Sequence, residues 1–459
     1  MEQNVEATRR TLFGRLSVIL FFAELAHGML LYGIIPELTS NRFSQGAHLL
    51  LVLPVTAVQL AGFCLAAYTL AELVLKLTAG HQVDHRGPDG PLLVGLVVSL
   101  LSVPVILLAP TPNLMLLGAI LHGVGSAPIW PAVISAWTRG RSARERGEIM
   151  GQILTWWMAG LGVGLILGNI LVGLTGRVEL VATYAPILMW SVAIGAALWT
   201  GRRLGVPAHH GMDADEISNL ARNFPPELKM MALGLFIQNL AFGSLILTFR
   251  EGAKDLLHLN PAQFGLVVLI GGAPAVGLLG PMGKISDRVG RRKSVIYSML
   301  VVAPLITAAP FLGYMPLHPW ARFALLIPGI LVAGVAYAFL LPAWHALALG
   351  RIPQHQRGRS LAILMSVEMA ALAGGHLVGP SLYARVHPTA PFLVAGITFG
   401  ILALIYSRGY ILPEEAEDQD DEPRGTNVVP PTPQSPGPNG TGPRPREKSG
   451  SPQPSHTAE

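Results

Sequence analysis

Gly283-Lys284-Ile285-Ser286-Asp287-Arg288-Val289-Gly290-Arg291-Arg292-Lys293 stands between two long apolar runs, and its reading decides the fold. A stretch this short and basic, flanked by hydrocarbon-like sequence, reads as a tight cytoplasmic hairpin between two membrane-crossing helices. Gly283 and Gly290 permit the reversal, because glycine adopts left-handed backbone without steric cost. Arg288, Arg291, Arg292 and Lys293 hold the loop inside by the positive-inside bias. Asp287 is unnecessary for topology, so one acid among these bases calls for a partner, either a helix N-terminus or an arginine.

The totals agree. Of 459 residues, 51% are hydrophobic and 13% charged, with mean hydropathy +0.49, which excludes an ordinary soluble domain and points to an all-α polytopic membrane protein. The net charge of +5 could suggest a polyanion partner, but the placement of the bases decides otherwise. With the N-terminus inside, 21 of the 32 Lys and Arg fall in cytoplasmic segments, 5 in the tail and 6 outside (Arg42, Arg177, Arg250, Lys254, Arg322, Arg385). That bias places both termini in the cytoplasm; the expected setting is the plasma (inner) membrane as a multi-pass protein, with the lipid bilayer and not nucleic acid as its surroundings. The single cysteine, Cys64, lies in an apolar run and reads as a small packing residue. The first apolar stretch is too long for a cleaved leader and carries Glu24 and His27, so it stays as the first span.

At about 20 apolar residues per crossing, spans fall near 12–35, 49–77, 91–109, 113–138, 149–173 and 181–200. A second set falls near 230–250, 262–282, 294–313, 319–348, 360–384 and 389–407. The expected organisation is an N-terminal six-helix bundle (1–200), a cytoplasmic linker (201–229), a C-terminal six-helix bundle (230–412) and a disordered cytoplasmic tail (413–459) rich in Pro, Gly, Ser and charge. Internal repetition supports two related halves. Glu24-Leu25-Ala26-His27-Gly28 aligns with Asn239-Leu240-Ala241-Phe242-Gly243 at an offset of 215, and Gly80 and Asp84 align with Gly283 and Asp287 at 203. Gly123, Pro131-Ala132, Arg146-Gly147, Gly164 and Gly168 align with Gly334, Pro342-Ala343, Arg357-Gly358, Gly375 and Gly379 at 211. Three ordered stretches with small offset changes indicate a duplicated six-helix unit: twelve transmembrane helices in two pseudo-symmetric bundles.

The opening stretch resembles the G-x-x-x-D-R-x-G-R-R signature of the major facilitator superfamily of secondary transporters, complete over Gly283, Asp287, Arg288, Gly290, Arg291 and Arg292. A weaker copy runs through Gly80, Asp84, Arg86 and Gly87, with Pro88-Asp89 where two bases are usual. In character the chain is closest to the superfamily's drug/proton antiporters, although the glycine signature of helix 5 stops at Gly168, followed by Asn169. The resemblance implies alternating access, a central cavity lined by helices 1, 4, 7 and 10, and the two motif loops as cytoplasmic gate elements.

Ionisable groups in a hydrocarbon-spanning helix are costly, so each is a functional candidate. Glu24 and His27, three residues apart, share a helix face and can share or relay a proton. Gln238 and Asn239 are their repeat counterparts on helix 7, so Glu24 and Asn239 are expected to face each other across the cavity. Glu368 and His376 on helix 11 and His122 on helix 4 complete the candidate set for proton coupling and the substrate cavity, beside a bland reading as satisfied packing groups. His345 on helix 10 is read in that way too. Glu72 reads as the partner of Lys76 near the inner end of helix 2, and Arg250-Glu251 as an interfacial anchor. Trp130, Trp137, Trp156 and Trp157 read first as packing and interface residues.

No phosphate loop, metal-ligand spacing or nucleophile triad is present, so neither an enzyme nor a cofactor is expected. The expected function is proton-coupled efflux of a small amphipathic or apolar compound by a monomer, with that small molecule and protons as its partners. Uptake of a polar metabolite, lipid translocation, and a non-transporting receptor or scaffold remain as alternatives.

Overall fold

In a lipid environment no water satisfies a free backbone N–H or C=O, so each crossing segment must bond to itself, and the apolar runs therefore fold as helices. The computed structural model describes residues 2–50, 52–138, 143–200, 226–350 and 357–409. Among these, eleven helices are long and apolar enough to cross a bilayer, and Pro261–Gly277 with Leu279–Val289, bent by 56°, makes a twelfth span. Linker residues 201–225, the tail, and the side chains of the Arg146-Gly147 and Arg357-Gly358 repeat pairs lie outside the described set.

The first span is α1 (Glu2–Gly28), a π-helical turn (Met29–Ile34) and α2 (Ile35–Arg42). Pro36, which has no N–H to donate, sits in the first turn of α2, just after the widened turn. A short antiparallel hairpin, β1 (Ala47–Leu49) and β2 (Leu53–Val55), precedes α3 (Ala57–Arg86). The second span is thus 57–86 and not 49–77: Thr56 caps α3 reciprocally with Gln59, which fixes where the helix begins. The first half continues with α4 (Asp89–Leu107), α5 (Pro112–Ser126), α6 (Ile129–Thr138), α7 (Ala143–Thr175) and α8 (Val178–Thr200). The second half comprises α9 (Pro226–Asp255), α10 (Pro261–Gly277), α11 (Leu279–Val289), α12 (Arg291–Ala308), α13 (Pro319–Gly350), α14 (Arg357–Arg385) and α15 (Ala390–Ser407). The twelve spans thus form two six-helix sets.

The motif stretch differs from the expected hairpin in one respect. Its residues up to Val289 are helical, and α12 begins at Arg291, so the reversal is confined to Gly290, at φ +102°. Gly283 is a helical residue, and so is Gly80. The repeat places Gly87 at the equivalent turn, φ +82°, and 203 residues separate the two, the motif's own offset. Side chains rarely adopt this backbone, which explains glycine at both turns.

The same duplication appears in the packing. A Cβ on Gly164 would collide with the Leu25 carbonyl oxygen, and one on Gly375 would collide with that of Leu240. Gly168 meets Met29 while Gly379 meets Ser244; Gly123 meets the Tyr68 carbonyl while Gly334 meets that of Gly271. Partners recur at the offsets read in the sequence, 215 for the first two contacts and 203 for the third. Each half is therefore held by glycines that bring helix backbones together.

Gly164→Ala is expected to destabilise the protein by about 1–3 kcal/mol, because the methyl group meets rigid backbone. Gly162, where an added methyl group would meet nothing within 4 Å, is the control: Gly162→Ala should stay within about 0.5 kcal/mol of wild type in a thermal melt in detergent.

Candidate functional site

The first half encloses a connected set of polar side chains from five spans. On α3, Tyr68, Glu72 and Lys76 are spaced by four residues and so share one face. The Tyr68 hydroxyl donates to Glu72 Oε2 and lies 3.4 Å from Ser126 Oγ of α5, and Lys76 Nζ donates to Glu72 Oε1 at 2.9 Å. Because α3 continues to Arg86, Glu72 is a buried mid-helix residue and not one near the inner end. The His27 ring packs 4.6 Å from Tyr68 and 5.3 Å from His122. Glu24, also buried, lies within reach of the Trp130 and Trp157 indoles and packs its Cβ against Gly160 of α7. Lys76 lies 5.9 Å over the Trp130 ring, joining the Glu24 part to the Glu72 part.

The hydrogen-bond pattern fixes one tautomer. Ser102 Oγ donates to the Ser99 carbonyl at 2.6 Å, so at 2.8 Å it must accept from His122 Nδ1–H. His122 Nε2 is then a bare acceptor, buried, with no hydrogen-bond partner among the described residues. The cluster as a whole holds two carboxylates, two imidazoles and one ammonium group. With two acids facing one lysine, it can take up or release a proton without leaving the interior.

The second half is built differently. Asn239 turns back to donate to the Leu235 carbonyl at 3.0 Å, and Gln238 Oε1 has no partner among the described residues. Glu24 lies beside the two tryptophans of its own bundle and Asn239 bonds within its own helix, so the two make no direct bond. Glu368 and His376 have different surroundings. Glu368 Oε1 lies 3.6 Å from His345 Nε2 on α13, whereas His376 is fully buried with both ring nitrogens unpartnered among the described residues. His345 Nδ1 lies 2.9 Å from the Leu341 carbonyl and so carries hydrogen, which turns Nε2 toward the carboxylate as the atom that can exchange a proton with it. Glu368 and His345 are part-exposed, as is Lys76, whose Nζ reaches 3.5 Å from Met369 Sδ in the other half.

At the motif end, Asp287 takes Arg291 as its partner at 2.8 Å across the Gly290 turn. Arg288 and Arg86 are exposed there, and Asp84, half-buried, is engaged by a neighbour. Arg292 caps the last carbonyls of α15, those of Tyr406 and Ser407. The two halves meet at the opposite end. Gly62 of α3 abuts the His376 carbonyl and Pro380 of α14, and Gly173 of α7 abuts Ala262 of α10. Arg250 of α9 reaches Glu37 and Asn169 there; it is a buried inter-half contact and not the interfacial anchor expected.

The sequence profile of the Major Facilitator Superfamily matches residues 16–214 and 231–447. The chain belongs to that superfamily. The match breaks between residues 214 and 231. Among curated proteins this superfamily member is 22% identical over 377 residues to the proton-coupled antiporter flippase LtaA of Staphylococcus epidermidis (strain ATCC 35984), covering 80% of this chain and 86% of that one. It is 21% identical over 416 residues to LtaA of Staphylococcus aureus (strain USA300), covering 87% and 94%. Among solved structures, the nucleoside transporter NupG superposes with TM-score 0.64 at 14% identity, covering 86% of this chain and 98% of that chain. The human organic anion transporter MFSD10 (TETRAN) superposes with TM-score 0.62 at 18% identity, covering 87% and 99%. These likenesses establish a multi-pass transporter fold with proton-coupled antiporters among its relatives.

Tyr68, Lys76, Ser102 and Ser126 complete the cluster around residues that the sequence singles out. The Tyr68/Glu72/Lys76 spacing is visible as a helical stripe, whereas the serines carry no signal apart from their neighbours.

Lys76→Met is expected to cost about 1–3 kcal/mol by stranding the buried Glu72 carboxylate. Adding Glu72→Gln should recover part of that loss, as read by thermal stability in detergent. A double variant no more stable than Lys76→Met alone would show that the two side chains do not interact.

Proposed function

We propose that this superfamily member is a proton-coupled antiporter that works by alternating access and carries a small amphipathic compound out of the cytoplasm. In this reading it is a monomer in the plasma (inner) membrane with both termini cytoplasmic. Residues 1–200 and 230–412 are the bodies that rock, and the linker 201–229 joins them. Gly80, Asp84, Arg86 and Gly87, with Gly283, Asp287, Arg288, Gly290 and Arg291, form the cytoplasmic gate at the helix ends and the two glycine turns.

The observation that carries this reading is the buried pairing of Glu24 and Glu72 in one cluster with a single lysine. A hydrocarbon-spanning bundle retains two carboxylates against their solvation cost only where they do work. Proton binding to the cluster changes its net charge, and so changes the free energy of exposing its Lys76 edge to either side. An amphipathic substrate suits the contrast between the buried acidic cluster of the first half and the part-exposed Glu368–His345 pair of the second. Glu368 and His345 are a second place for the transported proton to rest, whereas His376, sealed in packing, fits a structural role.

A lipid is the second reading. It draws on the curated relatives, which are flippases by name, and is compatible with the same amphipathic requirement.

Reconstitution into liposomes with an imposed pH gradient tests both. Wild-type protein should move a fluorescent amphiphile or a head-labelled lipid in a gradient-dependent way, and which probe moves decides the substrate class. Glu24→Gln and Glu72→Gln should each bring gradient-driven movement down to the empty-liposome level while leaving exchange at equal pH. Movement indifferent to the gradient in wild type would reject proton coupling, and undiminished coupling in both variants would reject the cluster as its seat.

A further inference from the structure

Arg250 sits in the last turns of α9, at the end of the bundle away from the motif loops, and is 4% exposed. A buried guanidinium needs partners for its fork of donors. Its Nη2 bonds to Glu37 of α2, its Nε to Asn169 Oδ1 of α7 at 3.0 Å, and its Nη1 to Glu251, the next residue, at 2.8 Å. Two of the three partners belong to the first half and one rides on the same helix as the arginine.

The first-half partners form a rigid unit. The Asn169 amide nitrogen donates to the carbonyls of Leu165 at 2.9 Å and Tyr32 at 3.4 Å, which leaves Oδ1 turned to the arginine. A Cβ on Gly33 would lie 3.0 Å from Gly168 Cα and 3.3 Å from Asn169 N, so the first span and α7 are in backbone contact at this level. Around the charges the halves make an apolar seal, with Gly173 against Ala262 and Gly265 against Ile166 and Ile170. Lys254 and Asp255 lie on the following residues of α9, and Asp255 accepts from Tyr383 of α14 at 2.8 Å, so it stays with the second half.

We propose that Arg250 is the latch of the gate at this end, and that Glu251 is its resting partner when the gate opens. Separating the halves breaks the bonds to Glu37 and Asn169 and leaves the Glu251 bond intact. The arginine is never stranded as a lone charge in the opened protein, because its second carboxylate travels with it. A latch built from a single base shared between a carboxylate across the seam and one beside it can release without an uncompensated buried charge.

The latch is tested by distance, which needs no transported compound and so stands or falls apart from the transport proposal. In full-length protein in nanodiscs, with Cys64→Ala as background, spin labels go on Leu50→Cys in the β1–β2 hairpin and Val386→Cys just after α14. Both positions are exposed, and they mark the two halves at the latch end. Wild type should show mainly the short distance. Arg250→Gln and Glu37→Gln should each raise the ratio of long to short populations by about tenfold or more. Glu251→Gln, which spares the cross-seam pair, should leave the ratio unchanged or lower it. Wild-type distributions in both Arg250→Gln and Glu37→Gln would overturn the latch, and Glu251→Gln opening the gate as far as Glu37→Gln would overturn the assigned division of roles. If Arg250→Gln fails to fold, the near-isosteric Glu37→Gln decides.

Discussion

Close approach of helix backbones through glycine is the constraint on which the rest of this structure depends. Lipid offers no hydrophobic drive for one membrane helix to bind another, so contact area and backbone proximity must supply it. In the first half, Gly160, Gly164 and Gly168 of α7 lie against Phe21 to Met29 of the first span. That contact sets Glu24 beside Gly160 and within reach of Trp157. It also sets Asn169 one residue beyond the same stripe, where its side-chain oxygen meets Arg250. A single packing stripe therefore positions both the buried acid at mid-depth and the inter-half contact at the far end.

The duplicated half reuses the stripe but not the chemistry. Gly375 and Gly379 pack on Leu240 and Ser244 as Gly164 and Gly168 pack on Leu25 and Met29. Yet where the first half has Glu24 beside that contact, the second has Asn239, which is satisfied by its own helix. Scaffold contacts are backbone contacts and persist after duplication, because only glycine fits them. Side chains pointing away from the stripe are free to diverge, and they have: the first half gathered Glu24, Glu72 and Lys76 in one cluster, and the second has a part-exposed His345–Glu368 pair and the buried Arg250–Glu251 pair.

Burial explains why the polar cluster is so thoroughly hydrogen-bonded. An unpaired polar group in a low-dielectric interior costs several times what a paired one returns, so Tyr68, Ser126, Ser102 and two tryptophan indoles are drawn in around the acids and imidazoles. Among the buried groups without a partner in the described residues, His122 Nε2 and the ring of His376 stand out. The first faces a titratable neighbourhood, with the His27 ring 5.3 Å away, while the second lies on the helix that abuts Gly62 across the seam.

The sequence by itself determined the class, the number of crossings and the duplication, and placed a reversal in the motif stretch although not at Gly290 alone, because each depends on local or periodic properties: apolar length, the sign of loop charge, and glycine where the backbone must be left-handed. It also marked Glu24, His27 and Glu72 as costly residues that need a reason. It misjudged where the second span begins, because the apolar run from Leu49 to Val55 looks like the start of a helix and is a strand pair instead. Only the tertiary structure decided which costly residues meet. Glu24 turned to Trp130 and Trp157 and not to Asn239; Glu368 turned to His345 and not to His376; and Arg250, outwardly a loop-end base, crossed to Glu37 from 213 residues away. Such pairings depend on how helices rotate and approach in three dimensions, and that is set by many packing contacts at once and not by the spacing of residues along one helix.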